Sequence, residues 1–208
     1  MPHLLELFSG TGSIGRACRE KGWQVTSVDI EFKFLPTICC DVLELEVDDV
    51  LEHGNVELIW ASPPCTHYSC ARTSARNPRD LIGSDAIVRK VLDLADSLFC
   101  YYLMENPHSG LLKTRDVVAG IPMRVLDYCS YGTLYRKRTI WTNSTFVPAR
   151  PLCKKDCGFC TGGRHDESAQ QGPARPGAKR HTLQELYAIP PLLAEELAEW
   201  ASLNSFGA

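Results

Sequence analysis

At 208 residues, 44% of them hydrophobic and 23% charged, the chain matches one globular domain with a substantial core and excludes a disordered or fibrous protein. No apolar run approaches the ~20 residues that span a bilayer, and no basic-then-apolar leader opens the chain, so the expectation is a soluble cytoplasmic protein without membrane contact. The net charge of −3 is unevenly spread: residues 136–180 carry ten Lys and Arg against three acidic side chains, a net of +7, which leaves −10 elsewhere. Such a basic region on an acidic body is the footprint of a polyanion surface and keeps nucleic acid in view; no protein partner is implied.

Strand-like runs fall at 3–8, 24–29, 56–61, 98–104, 124–129 and 139–142, with helix-like segments near 13–21, 84–97 and 109–119. That alternation predicts βαβ units and a mostly parallel sheet, an α/β Rossmann-like fold. In the segment 84–97, Ile87, Val88, Val91, Leu92 and Ala95 recur at helical spacing behind Ser84, the expected N-cap. Residues 66–83 form a polar stretch of the kind that makes a functional loop. After Pro148 the composition turns to Gly, Pro, Cys and charge, and a helical pattern returns over 183–203, broken at Ile189-Pro190-Pro191. The expected organisation is a core over 1–147, a Cys/His-rich basic insert over 148–180, and a helical segment over 181–208 that completes the core.

Chemistry concentrates at strand ends. Phe8-Ser9-Gly10-Thr11-Gly12 follows the first strand and opens a helix, where glycines allow a tight turn and free N–H groups face a ligand. Asp29 ends the second strand, about 20 residues on, where a carboxylate can take ribose hydroxyls. Pro63-Pro64-Cys65 follows the strand-like Val56–Ala61; the two prolines project a thiol in a set direction and make it a candidate nucleophile. Met104-Glu105-Asn106-Pro107 ends the strand-like run Phe99–Leu103, and a parallel sheet brings Glu105 to the edge that carries Cys65. In the insert, Cys153, Cys157, Cys160 and His165 have the short spacing of a closed tetrahedral Zn2+ site, interleaved with Lys154, Lys155 and Arg164 that would meet nucleic-acid phosphates. His181 is a substitute ligand. Cys18, Cys39, Cys40, Cys70, Cys100 and Cys129 sit in mostly apolar or mixed settings and read as core fillers.

The Phe8–Gly12 loop, Pro63-Pro64-Cys65, Glu105-Asn106-Pro107 and the basic Tyr131–Arg138 run, in that order, resemble the cytosine-5 DNA methyltransferases over residues 3–143. The resemblance implies a class I methyltransferase fold with a small zinc-stapled insert, S-adenosylmethionine as methyl donor, and DNA as partner. It implies that Cys65 adds to C6 of a flipped cytosine while Glu105 holds N3 and the exocyclic amine, because C5 is a poor nucleophile until an adduct loads electron density onto it. Phe8, Gly10 and Gly12 would surround the methionine moiety, with Ser9, Thr11 and Pro63 also binding the cofactor, Asp29 would take the ribose, and Ile30, Asp41 and Val42 the adenine. Pro64, Ser69 and Asn106 would face the substrate.

The chain departs from the family pattern in three places. Thr66 replaces the glutamine after Pro-Cys, and the basic motif reads Tyr135-Arg136-Lys137-Arg138-Thr139 where the family has Gln-x-Arg-x-Arg. On that match Arg136 and Arg138 together are the catalytic cations. The family's large target-recognition domain has no counterpart, since only about 40 residues separate the basic motif from the last helical segment. Methylation of RNA or of a free nucleotide therefore remains an alternative, as does a non-catalytic zinc-containing nucleic-acid-binding protein that keeps the cofactor fold.

Overall fold

The apolar runs alternate in their facing, and that alternation sets the layers. Leu4, Leu58, Trp60 and Leu103 bury one way, while Leu5, Ile59, Ala61 and Met104 bury the other. The computed structural model describes residues 1–70, 72, 77–143, 146–169 and 179–204. Arg175 of the basic run, the end of the insert and the last residues of the C-terminal segment lie outside them.

The body consists of β1 (His3–Leu7), α1 (Ser13–Glu20), β2 (Gln24–Asp29), β3 (Ile38–Cys39), α2 (Val47–Leu51), β4 (Leu58–Ala61), α3 (Leu81–Leu98), β5 (Tyr101–Pro107), β6 (Met123–Asp127) and β7 (Arg138–Thr142). A two-strand hairpin, β8 (Cys160–Thr161) and β9 (Arg164–His165), stands apart, and α4 (Leu183–Tyr187) and α5 (Pro191–Leu203) follow. The main sheet runs β3-β2-β1-β4-β5-β7-β6, parallel except for β7, which is antiparallel to both neighbours. The mostly parallel α/β sheet expected from the alternation is thus present.

Leu193, Ala194, Leu197, Ala198 and Ala201 of α5 join Ile14, Ala17 and Cys18 of α1 on one face of the sheet, and Val88, Val91, Leu92, Leu94 and Ala95 of α3 cover the other. The chain winds outward from β1 to β3, then returns to place β4 on the other side of β1. This reversal opens a crevice at the carboxyl ends of β1 and β4. Register pairs Leu7 with Ala61 and Ala61 with Met104, so the loops after β1 and β4 and the distal half of β5 arise at one edge.

Local details differ from the sequence reading. The segment near 109–119 forms two 3-10 turns, Leu112–Thr114 and Asp116–Val118, because Arg115 between them is drawn to Asp85 of α3 at 2.6 Å. Helix α3 starts at Leu81, not behind Ser84. Asp80 caps it by accepting the Gly83 N–H at 2.8 Å, a charged acceptor at the positive end of the helix, while the Ser84 hydroxyl donates inside the first turn to the Asp80 carbonyl. Glu105 and Asn106 lie within β5 instead of beyond it. Cys39 and Cys70 are exposed, not core fillers, since the edge strand β3 and the loop after β4 give them nothing to pack against on their outer side. Among the described residues no helix is long and apolar enough to cross a membrane.

Candidate active site

The turn after β1 is shaped by backbone that only glycine adopts easily. Gly12 is left-handed at φ 65° and caps α1, and Gly10 is left-handed at φ 47°. A Cβ on Gly10 would meet nothing nearer than the Phe8 carbonyl at 3.9 Å, so this position opens onto free space. Asp29 braces the turn: one carboxylate oxygen accepts from Gly10 N–H at 2.8 Å and the other from Glu31 N–H at 2.9 Å. Each oxygen keeps a further lone pair for a ligand. Asp41 caps a short turn by accepting from Leu43 N–H at 3.0 Å.

Beneath the loop lies Glu6, a residue the motif reading passed over. It is 2% exposed, its Oε1 accepts from the N–H groups of Ile14 (3.2 Å) and Gly15 (3.0 Å), and burial pushes its carboxyl pKa up. A carboxylate inside an otherwise apolar strand, Leu4-Leu5-Glu6-Leu7, was the available signal.

These groups border a cavity of about 1490 Å³. The loops after β1, β2 and β3 supply Phe8, Ser9, Gly10, Thr11, Asp29, Ile30, Asp41 and Val42. The loop after β4 adds Pro63, Pro64, Cys65 and Ser69, β5 adds Glu105, and the β7 end adds Arg136, Lys137 and Arg138. Two expected wall residues are absent from it. Gly12 acts through its backbone as the helix cap, and Asn106 is buried, its Nδ2 donating to the Pro63 carbonyl at 3.0 Å. Asn106 therefore braces the Pro-Pro-Cys loop from beneath the cavity wall.

Around Cys65 the geometry corrects the cation assignment. Lys137 Nζ stands 3.7 Å from Glu105 Oε1, 4.9 Å from the centre of the Tyr128 ring, and donates to the Leu186 carbonyl at 3.0 Å. Arg138 instead makes a bidentate pair with buried Asp127, at 2.8 and 2.6 Å, because the two are cross-strand partners in β7 and β6. Arg136 is exposed. Lys137 is thus the cation that reaches the carboxylate, one position from both arginines singled out by the motif. The Tyr128 hydroxyl, fully buried, donates to Glu105 Oε1 at 3.3 Å. Burial pushes the Cys65 thiol pKa up and the Glu105 charge adds to this, against a smaller downward pull from Lys137. Tyr187, at the end of α4, also lines the cavity, and Cys65 contributes to raising its phenol pKa.

A frog virus 3 (isolate Goorha) protein named "Probable DNA (cytosine-5)-methyltransferase" is 30% identical to this chain over 221 residues, covering 94% of the chain and 98% of the viral protein. This chain belongs to the DNA (cytosine-5)-methyltransferase family. No family model matches it. Among solved structures, the Entamoeba histolytica methyltransferase EhMeth matches with a TM-score of 0.51 and 16% identity, over 73% of this chain and 56% of that one. The S. pombe Dnmt2 methyltransferase matches with a TM-score of 0.50 and 16% identity, over 75% and 57%. At these identities the likeness shows the fold alone, that of the class I methyltransferases. The chain spans about half the length of the solved structures it matches.

In this methyltransferase the basic run is partly spent internally. Lys137 and Arg138 are paired as above, Arg150 donates to the Ser130 carbonyl, and Lys179 pairs with Glu185 at 2.5 Å. Arg136, Lys154, Lys155, Arg164 and Arg180 are left exposed. His181 is engaged elsewhere: it pairs with Glu167 at 2.5 Å and packs edge-on against Tyr135. The Cys/His group is redrawn as well. Cys129, Cys153, Cys157 and His165 have their donor atoms within 4.8 Å of one another, whereas Cys160 touches only one side of the group, 3.9 Å from Cys157 Sγ. The turn after β6 delivers Cys129 from the core to this group, while Cys160 sits opposite His165 in the β8–β9 pairing.

Proposed function

We propose that this methyltransferase transfers a methyl group from S-adenosylmethionine to C5 of cytosine in DNA through a covalent Cys65–C6 adduct. The observation that carries the reading is a single cavity bordered both by the Gly10–Asp29–Asp41 pocket and by Cys65, Glu105 and Lys137. The pocket fits the donor: the Gly10 position is open where a side chain would intrude, and the Asp29 and Asp41 oxygens keep lone pairs beyond their backbone bonds. When bound there, S-adenosylmethionine supplies an electrophilic methyl group.

Cys65 in the resting site is held neutral by burial and by the Glu105 charge. The cytosine exocyclic amine donates to Glu105; as the Cys65 thiol gives up its proton and adds to C6, Glu105 takes up one proton and donates it to N3, so that the carboxylate no longer opposes ionisation of the thiol. Lys137 faces the negative charge that develops on the ring. Tyr128 holds Glu105 in position from behind. After methylation, water takes the C5 proton, β-elimination breaks the S–C6 bond, and the proton held at N3 returns through Glu105 to restore the Cys65 thiol. Because the base must leave the duplex to reach this cavity, the exposed Arg136, Lys154, Lys155 and Arg164 serve to grip phosphates around the extruded nucleotide.

The test is incorporation of labelled methyl from S-adenosylmethionine into DNA, RNA and dCMP by wild type and Cys65→Ala. Label is expected in DNA with wild type alone, and 5-fluorocytosine DNA should trap a covalent complex that Cys65→Ala cannot form. Label that persists in the mutant removes Cys65 from the chemistry, and label in RNA or dCMP but not DNA reassigns the substrate.

A further inference from the structure

Almost nothing apolar anchors the insert. Among its described residues, 148–169 and 179–180, Cys153 alone is buried, and the regular structure consists of the two residue pairs of the β8–β9 hairpin. A segment so poor in core contacts needs another source of folding energy.

The donor set supplies one. His165 Nε2 lies 3.5 Å from Cys153 Sγ and 3.5 Å from Cys157 Sγ, and Cys129 completes a group whose donor atoms lie within 4.8 Å of one another. Around a tetrahedral ion bonded at ~2.3 Å to sulfur and ~2.0 Å to nitrogen, the sulfur–nitrogen edge is ~3.5 Å and the sulfur–sulfur edge ~3.8 Å. The observed separations match the first of these edges without movement. The Lys155 N–H donates to Cys153 Sγ at 3.2 Å, a backbone bond that suits a thiolate better than a thiol. The chain also turns sharply beside the ligands, at Lys155 (φ 73°), Gly158 (φ 83°), Gly162 (φ 59°) and Gly163 (φ 74°).

We propose that Cys129, Cys153, Cys157 and His165 hold one structural zinc ion that clamps the insert onto the end of β6. Three soft thiolates and an imidazole, with no carboxylate among them, are the donors zinc prefers, and four protein ligands leave no open position for catalysis. The clamp bears on the active site through two neighbours. Cys129 adjoins Tyr128, whose hydroxyl meets Glu105, and the Cys153 N–H donates at 3.0 Å to Asp127, the partner of Arg138. The ion thereby joins the basic insert rigidly to the cavity wall without touching the reacting atoms.

Metal content of the purified full chain, after dialysis against metal-free buffer, tests this directly. Wild type should carry one zinc per chain and accept cobalt with the charge-transfer and d–d bands of a tetrahedral three-thiolate, one-imidazole site. Cys129→Ser and Cys157→Ser should each lose the ion, while Cys160→Ser retains it. Circular dichroism of each variant separates loss of metal from loss of fold. Should either ligand variant unfold, the cobalt spectrum of wild type decides, three-thiolate bands supporting the site and their absence overturning it. A folded wild type that holds no zinc and takes up neither metal overturns the proposal, as does zinc kept by Cys129→Ser and lost by Cys160→Ser.

Discussion

The Cys65 thiol stands between opposed charges, with Glu105 working against ionisation and Lys137 for it. Peptide-resolved alkylation against pH should therefore place the Cys65 midpoint above the ordinary thiol value in wild type. Removing the like charge in Glu105→Gln should move that midpoint down, and removing the cation in Lys137→Met should move it up. The opposite pair of shifts would show that neither group faces the thiol. Cys65 and Glu105 were legible in the sequence because each is tied to a strand end by neighbouring prolines and apolar residues. Lys137 was not. Three consecutive cations share one motif, and only the pairing of β6 with β7, which spends Arg138 on Asp127, decides which of them turns to the carboxylate. Cys129 was hidden for a related reason: its sequence surroundings are those of a buried core residue, which it also is.

At the scale of single elements, the loop-to-helix joint of β1 and α1 depends on close approach. A Cβ on Gly15 would lie 2.3 Å from Glu6 Oε2 and 3.0 Å from Val25 Cγ1, so Gly15→Ala should cost about 2 kcal/mol by overpacking. It should also weaken S-adenosylmethionine binding, because Glu6 would have to leave the N–H groups of Ile14 and Gly15. Urea denaturation and calorimetric titration check the two effects. Helix α3 offers a simpler case. Asp80→Ala removes the acceptor for Gly83 N–H and should destabilise by about 1 kcal/mol, whereas a Ser84→Ala chain keeps its cap. The periodicity of α3 was plain in the sequence, but its start was not, since both Asp80 and Ser84 are good capping residues. The segment 109–119 misled for want of a regular apolar stripe: Leu112, Val117 and Val118 are buried at spacings that two separate turns satisfy and a helix does not.

For the molecule as a whole, buried thiols make stability depend on alkaline pH. Burial raises Cys18 and Cys100 from the ordinary 9.0 to about 12. Their contribution is complete below the unfolded value and declines as pH rises through the interval up to about 12, because the unfolded chain ionises first. Urea midpoints should therefore fall between pH 8 and pH 11, and Cys18→Ala should flatten that fall even though it lowers stability at neutral pH by opening a cavity. The same scale separates what each level of description could decide. By itself the sequence determined the α/β class, the main strands β1, β2, β4, β5, β6 and β7, and the sheet edge at which Cys65, Glu105 and Asp29 gather, because apolar runs and Gly/Pro punctuation are local properties of the chain. Only the tertiary structure decided that Lys137 rather than an arginine meets Glu105, that Asn106 braces the Pro-Pro-Cys loop, and that Cys129 crosses from the core to join the insert. Each of those outcomes depends on which strand lies beside which, and therefore on contacts between residues far apart in the chain that no local pattern encodes.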